Sequence, residues 1–295
     1  LSEEQQFLKD TAQSFAREKT PTNHFRKLRD DGNAKCWDDS IWEEMVQLGW
    51  SGILVPEEFG GSDFGIAGIS VIMQELGKTL TPSPLLATSV LGVSTIKLLG
   101  SDEQKKNYLP KIVSGEATTA LAVDEGNHHS PFDIEATATL EDDQWILNGQ
   151  KVFIIDGASA DFILIVARTS GKKGESNGLS VFISDKNSTG LEVSQISTAD
   201  CRNYANLVMS NLTLNAEALL GEVDIAGEII EQVLDLGRIA MASEMLGNTE
   251  EAFEITVSYL KERKQFGVLI GSFQALQHRA AKMFCEIELT KSAVL

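Results

Sequence analysis

The sequence is poor in the residues that would staple a fold covalently or through metal. It has three cysteines in 295 residues, Cys36, Cys201 and Cys285, far apart and without a Cys-x-x-Cys, which excludes a disulfide framework and a zinc ribbon. Basic residues are the minority, 25 against 43 acidic, for a formal charge of −18; this balance argues against a nucleic-acid surface and against docking on anionic lipid. No apolar run reaches bilayer length, and Leu1-Ser2-Glu3-Glu4-Gln5 lacks the basic-then-apolar pattern of an export signal, so a reducing, cytoplasmic location is expected. A Gly-x-Gly-x-x-Gly after a strand and a Gly-x-Ser-x-Gly elbow are also missing, which removes the Rossmann nucleotide fold and a serine nucleophile.

What is present changes character twice along the chain. Residues 1–117 read as an N-terminal helical domain: Ser2 with Gln5 and Ser40 with Glu43 are capping pairs, each followed by an apolar stripe, and Ile69–Leu80 and Leu85–Leu99 continue the helical period. Residues 118–221 shift to alternation and short apolar runs, from Thr119–Val123 to Leu207–Leu212, and form a β-barrel or sandwich domain. Asn148-Gly149, between two such runs, is the strongest local hairpin signal. From 222 to 295 the helical period returns for some forty residues without proline, turns at Gly267–Gly271 and is still running at Leu295, so the C-terminal helical domain reads as incomplete, with its last part absent. Helices, then strands, then helices give an α+β class with segregated layers.

The densest chemistry lies at that turn. In Tyr259-Leu260-Lys261-Glu262-Arg263-Lys264-Gln265-Phe266-Gly267, followed by Val268 to Gln277, an arginine closes one helix, glycines bound a tight turn and a second helix opens. A fixed cation beside helix-end amides is phosphate-binding geometry, although arginine at a helix C-terminus is also favoured by the macrodipole alone.

That string resembles a signature of the acyl-CoA dehydrogenase family, and Gly60-Gly61, the Leu147-Asn148-Gly149-Gln150-Lys151 hairpin, Ala160-Asp161, Gly190-Leu191 and Leu234-Asp235-Leu236-Gly237-Arg238 match it in order. The altered β-domain and the Gly271–Arg279 run look most like the small subunit of pimeloyl-CoA dehydrogenase and the heteromeric steroid-side-chain type. The resemblance implies an FAD enzyme that dehydrogenates an acyl-CoA thioester between its α and β carbons and passes electrons to an electron-transfer flavoprotein, as a homo-oligomer or a heterotetramer with a second subunit. It implies that Arg263, Gln265, Phe266, Phe273 and Gln274 hold the pyrophosphate and adenosine of a neighbouring subunit's FAD, that Val123, Asp124, Phe153 and Ile155 line the flavin wall, and that Ser130, Asp235 and Arg238 line the acyl-CoA site.

Departures from the family pattern are local. The usual Thr-Glu-Pro-x-x-Gly-Ser-Asp run is here Asp124-Glu125-Gly126-Asn127-His128-His129-Ser130-Pro131, and the Lys-x-Trp-Ile-Thr strand is Lys151-Val152-Phe153-Ile154-Ile155. Phe153 can still stack, Ile155 cannot donate a hydrogen bond, and Asp124 brings a carboxylate toward the ring. The family's usual catalytic glutamate lies well beyond position 295, so no residue here is matched to it; some members carry it just before the helix arginine, where this chain has Gly237. Two alternatives stand beside the enzyme reading, a non-catalytic or FAD-sharing partner subunit and a flavin-free acyl-CoA-binding or assembly protein. His128-His129, in a loop with Asp133, invite a metal reading, but adjacent imidazoles on a strand point apart and no third ligand has sensible spacing, so no metal site is expected; His278 reads as a polar residue of a helix face, and most of the acidic residues of the long helix as a solvated face.

Overall fold

The computed structural model describes residues 1–200 and 202–294; Cys201 and Leu295, the residue to which the last helix was read, lie outside them. Helices α1 (Glu3–Lys19), α2 (Thr22–Asp30), α3 (Asp39–Gln47) and α4 (Ile66–Thr79) precede a π-helix (Leu85–Gly92) that runs into α5 (Val93–Leu99) and α6 (Asp102–Val113). Then come β1 (Thr119–Ala122), β2 (Thr137–Glu141), β3 (Gln144–Ile155), β4 (Phe162–Arg168), β5 (Leu179–Asp185), β6 (Leu191–Ile196), β7 (Tyr204–Asn215) and β8 (Leu219–Leu220). Helix α7 (Ala226–Glu262), the short strands β9 (Lys264–Gln265) and β10 (Val268–Leu269), and α8 (Gln274–Val294) follow. None of the helices is long and apolar enough to cross a membrane, among the described residues.

The chain packs as two compact units. The first comprises Leu1–Lys27, Ile66–Thr81 and the chain from Arg238 onward. The predicted capping box is present, with the Gln5 N–H donating to Ser2 Oγ at 3.2 Å and the Ser2 N–H to Gln5 Oε1 at 2.9 Å. It starts α1, whose Ala12, Phe15 and Ala16 are buried, as are Ile69, Ile72 and Leu76 of α4. Helices α4 and α7 touch backbone to backbone, because a Cβ at Gly247 would collide with the Gln74 carbonyl. The acidic residues of α7 are not all solvated: Glu250 accepts from Gln74 Nε2 at 2.9 Å and pairs with Lys291 at 3.0 Å. On α8, Ile287 is the buried side chain, and the Phe284 ring meets Phe253 of α7 at 6.4 Å.

The second unit, Leu28–Gly65 with Pro82–Gly237, carries the sheet. Its eight strands run in the order β6-β7-β3-β2-β4-β5-β8, with β1 pairing parallel to β4. Central β4 is buried at every position, as a strand covered on both faces must be. The path is open at β6 and β8 among the described residues, a sheet and not a closed barrel.

Two local expectations are overturned. The N-cap of α3 is Asp38, whose carboxylate accepts the Ser40 N–H at 2.9 Å; Ser40 sits one residue inside the helix. Asn148-Gly149 is no hairpin turn: both residues lie within β3, where Gly149 (φ 138°) lets the strand bulge against Ala136, whose Cα would stand 2.7 Å from an added Cβ. The hairpin turns instead at Asp142-Asp143, both left-handed (φ 45° and 61°), between the paired Glu141 and Gln144. Two successive positive-φ residues make the turn whose twist matches a two-residue hairpin. Aspartate tolerates that region better than most side chains.

Candidate functional site

Two groups of predicted residues gather in separate places. In the second unit, β1 ends at Ala122, the last residue paired with β4, and the chain continues as Val123-Asp124-Glu125 without ladder partners in β4. Its bonds go to β3: the Lys151 ammonium donates to the Val123 carbonyl at 2.9 Å, and the Val152 N–H donates to the Asp124 carbonyl at 2.8 Å. Val123, Asp124 and the start of the Phe153 segment are thereby held side by side.

Phe153 sits on a β-bulge. Lys151 faces Leu207 and Ile154 faces Ala205, so Val152 and Phe153 together oppose Asn206, whose Oδ1 accepts the Phe153 N–H at 3.2 Å. The extra residue reverses the alternation: Lys151 is buried, while the Phe153 ring is 60% exposed and lies 5.7 Å from the Tyr204 ring. Its φ of 55° is unusual for a bulky side chain. Burial, and after it the Asp200 charge, raises the Tyr204 phenol above its ordinary pKa, so this neighbour stays neutral. Ile155, partly exposed, is paired with Tyr204 and offers no polar side-chain atom.

The carboxylate of Asp124 is not loose. It accepts from His129 Nδ1 at 2.9 Å and from the Ser130 N–H at 3.0 Å, closing the 124–130 loop on itself. This brings Ser130 to the wall. His128 and His129 lie in this loop, outside any strand, and His129 is a carboxylate partner of Asp124. Residues that could hold a metal ion do not cluster anywhere, among the described residues. Beside the loop opens a cleft of about 640 Å³ with Glu125, Ser130, Gln150 and Val208 in its lining.

Sequence reasoning missed the group beneath this wall. Glu125 accepts from Lys151 Nζ at 2.7 Å, from the Glu135 N–H at 2.7 Å and from the Ala136 N–H at 3.0 Å. Lys151 is wholly buried, and burial, opposed by the Glu125 charge, pulls its pKa down to about 8. A lysine inside an apolar strand pattern was the available signal.

The first unit holds the second group. Strands β9 and β10 pair Gln265 with Val268 around Phe266-Gly267, both left-handed (φ 53° and 80°). The Ile270 N–H donates to the Arg263 carbonyl at 2.9 Å, and the Gln277 side chain donates to the Gly271 carbonyl at 2.8 Å. Phe273 immediately precedes α8, which opens at Gln274, and its ring meets Phe266 edge-on at 6.4 Å. Arg263, Gln265, Phe266, Phe273 and Gln274 thus share one exposed hairpin and helix start, with Phe266 91% exposed. Neither group includes Asp235, exposed on α7 at the end of the second unit, or Arg238, exposed where the first unit resumes; Gly237 of the second unit is buried, with Leu91 Cδ2 2.7 Å from where its Cβ would stand.

Comparison with known proteins identifies three successive segments of the chain. Residues 2–116, 120–215 and 227–295 match the acyl-CoA dehydrogenase N-terminal, middle and C-terminal domain families in turn. The C-terminal family is therefore represented, which overturns the expectation that this part is absent: α7, the hairpin and α8 themselves lie in the matched segment. The chain is 31% identical to the mitochondrial isovaleryl-CoA dehydrogenase of Solanum tuberosum, over 98% of its own length and 71% of the relative's. A chain in the solved structure of the electron transferring flavoprotein of Acidaminococcus fermentans superposes with a TM-score of 0.89 at 33% identity, covering 100% of this chain and 78% of that one. The FAD complex of PigA superposes with a TM-score of 0.90 at 25% identity, with the same coverage. With all three domain families matched in order along most of its length, the chain belongs to the acyl-CoA dehydrogenase family.

Proposed function

We propose that the protein dehydrogenates an acyl-CoA thioester between its α and β carbons, holding FAD and passing electrons to an electron-transfer flavoprotein. The observation that carries this reading is the junction of Val123-Asp124 with the Phe153 bulge, which presents an exposed aromatic face beside a closed polar loop. The residues fit a flavin in part. Phe153 offers a stacking face, and Asp124, bonded by His129 and the Ser130 amide, has its charge shared before any ring approaches. Ile155 supplies no donor.

When bound, FAD supplies the hydride acceptor. The chain's own residues bind and orient. Arg263 carries the permanent charge suited to a pyrophosphate, with Gln265, Phe266, Phe273 and Gln274 around it, and in this reading the hairpin would meet the cofactor of an adjacent copy. Ser130, Asp235 and Arg238 are the residues for the thioester and its CoA. The division into 1–117, 118–221 and 222–295 is proposed as the functional domain organisation, supported by the three family matches.

Gly237 favours a second reading. It has no carboxyl group at one of the two positions where the resemblance puts the base, and in this reading the chain is an FAD-sharing subunit of a heteromer whose partner removes the α-proton. Purification alone and after co-expression with an adjacent dehydrogenase gene separates the readings. A flavin spectrum bleached by acyl-CoA in the protein alone supports the first, the same signal only in the co-purified complex supports the second, and a colourless protein in both contradicts them.

A further inference from the structure

Lys151 is a buried cation whose place in the strand an apolar side chain would fill with no desolvation cost. What it holds explains its presence. Val123 and Asp124 lie past the last β1–β4 pair, and Val152-Phe153 lies where the β3–β7 ladder is interrupted. Both sides of the wall are thus regions where sheet pairing has stopped. The Lys151 ammonium bridges them, donating to the Val123 carbonyl and to Glu125, and Glu125 is itself pinned by the Glu135 and Ala136 amides.

We propose that Lys151 is the positioning residue of this wall: its ammonium locks Val123-Asp124 to the Phe153 bulge, and the wall takes up the flavin end of FAD only while that ammonium keeps its proton. The inference rests on the reading that FAD meets this wall.

The charges that face the ammonium are Glu125 and Asp124, which favour the proton, and Arg168, which disfavours it; burial outweighs them and brings the pKa to about 8. In mildly alkaline solution the proton leaves to water, and the neutral amine no longer attracts the carboxylate. Between about 8 and the unfolded value of 10.5 the unfolded chain binds more protons than the native one, so this group makes the fold more stable as pH rises. The clamp loosens while the fold persists.

FAD affinity of the full chain, read by flavin fluorescence from about pH 6.5 to 9.5 with thermal melts over the same range, tests this. The expected result is constant affinity below about pH 8 and a fall of about tenfold per pH unit above it, with no matching loss of melting temperature. Glu125→Gln, which removes the charge that raises the Lys151 pKa, moves the fall to lower pH. Lys151→Arg, whose charge does not titrate in this range, abolishes it. A flat wild-type profile, or a fall that stays at the same pH in Glu125→Gln, overturns the role of Lys151 and leaves FAD binding intact. FAD bound at no pH overturns both. Should Lys151→Arg not fold, the shift in Glu125→Gln still decides.

Discussion

Two phenylalanines, Phe153 and Phe266, adopt nearly the same left-handed backbone, φ 55° and 53°, and both turn an aromatic ring to solvent. Their settings differ. Phe153 is at a bulge in a twelve-residue strand, with a buried ion pair two residues before it and Asn206 accepting its amide. Phe266 is at the tip of a hairpin of two-residue strands, with no buried side chain in it. A conformation that costs about 1–3 kcal/mol persists where its surroundings over-determine it. In β3 the sheet does so; in the hairpin the turn type itself asks for positive φ. The wall is therefore preorganised within the chain, while the hairpin is a surface whose rings gain cover only from something that docks on it.

The largest expected effect falls on the hairpin. Arg263→Ala should weaken FAD binding by about 10- to 100-fold, the loss of one charged hydrogen-bonding partner, read as flavin content per chain, with the melting temperature of FAD-free protein unchanged. An equal loss of stability would show that Arg263 supports the fold and not a ligand. Next, Gly149→Ala should cost about 2 kcal/mol in denaturant unfolding, since its Cβ would stand 2.7 Å from the Ala136 Cα; a neutral result would contradict that close approach. Phe153→Ala should reduce FAD affinity by about three- to tenfold, the value of one aromatic contact, without weakening the fold. Phe266→Ala should move stability by no more than about 0.5 kcal/mol, because the ring is 91% exposed.

The smallest effect concerns pH. Burial pushes the Glu250 carboxyl up, but the Gln74 and Lys291 hydrogen bonds and the Lys78 charge outweigh it, so the net pKa lies below the usual 4.5. This group stabilises the fold above its unfolded pKa, and the contribution is lost as pH falls through the lower folded value. With Lys291 part-exposed, the contribution is about 1 kcal/mol or less. Acid melts of wild type and Glu250→Gln should converge once pH has fallen below the lowered folded pKa of Glu250.

What the sequence made legible is what local chemistry decides. The Ser2–Gln5 box, the proline-free α7 and the strand order from Thr119 follow from capping and periodicity, and the structure has them. The misses come where distant pairing outweighs a local preference. Asn-Gly is the stronger turn dipeptide, yet β3 is paired with β2 on one side and β7 on the other through that point, so the turn went to Asp142-Asp143. The Lys151–Glu125 pair spans 26 residues and the Asp124–His129 contact depends on the loop closing, so neither has a spacing to read. That the five hairpin residues share one place in the fold was legible because they lie close together in one motif; the Val123-Asp124 and Phe153 segments were named separately, without the buried clamp that joins them.

Sharing of one cofactor between the wall of one copy and the hairpin of another is tested most directly by complementation. Phe153→Glu should break the wall and Arg263→Ala the hairpin, so each variant alone should purify with little flavin. If the site is shared, subunits mixed at random should recover about a quarter of the wild-type flavin content, because half of the pairs are mixed and each mixed pair has one intact site of two. No recovery in a mixture shown to have exchanged subunits would contradict the shared site.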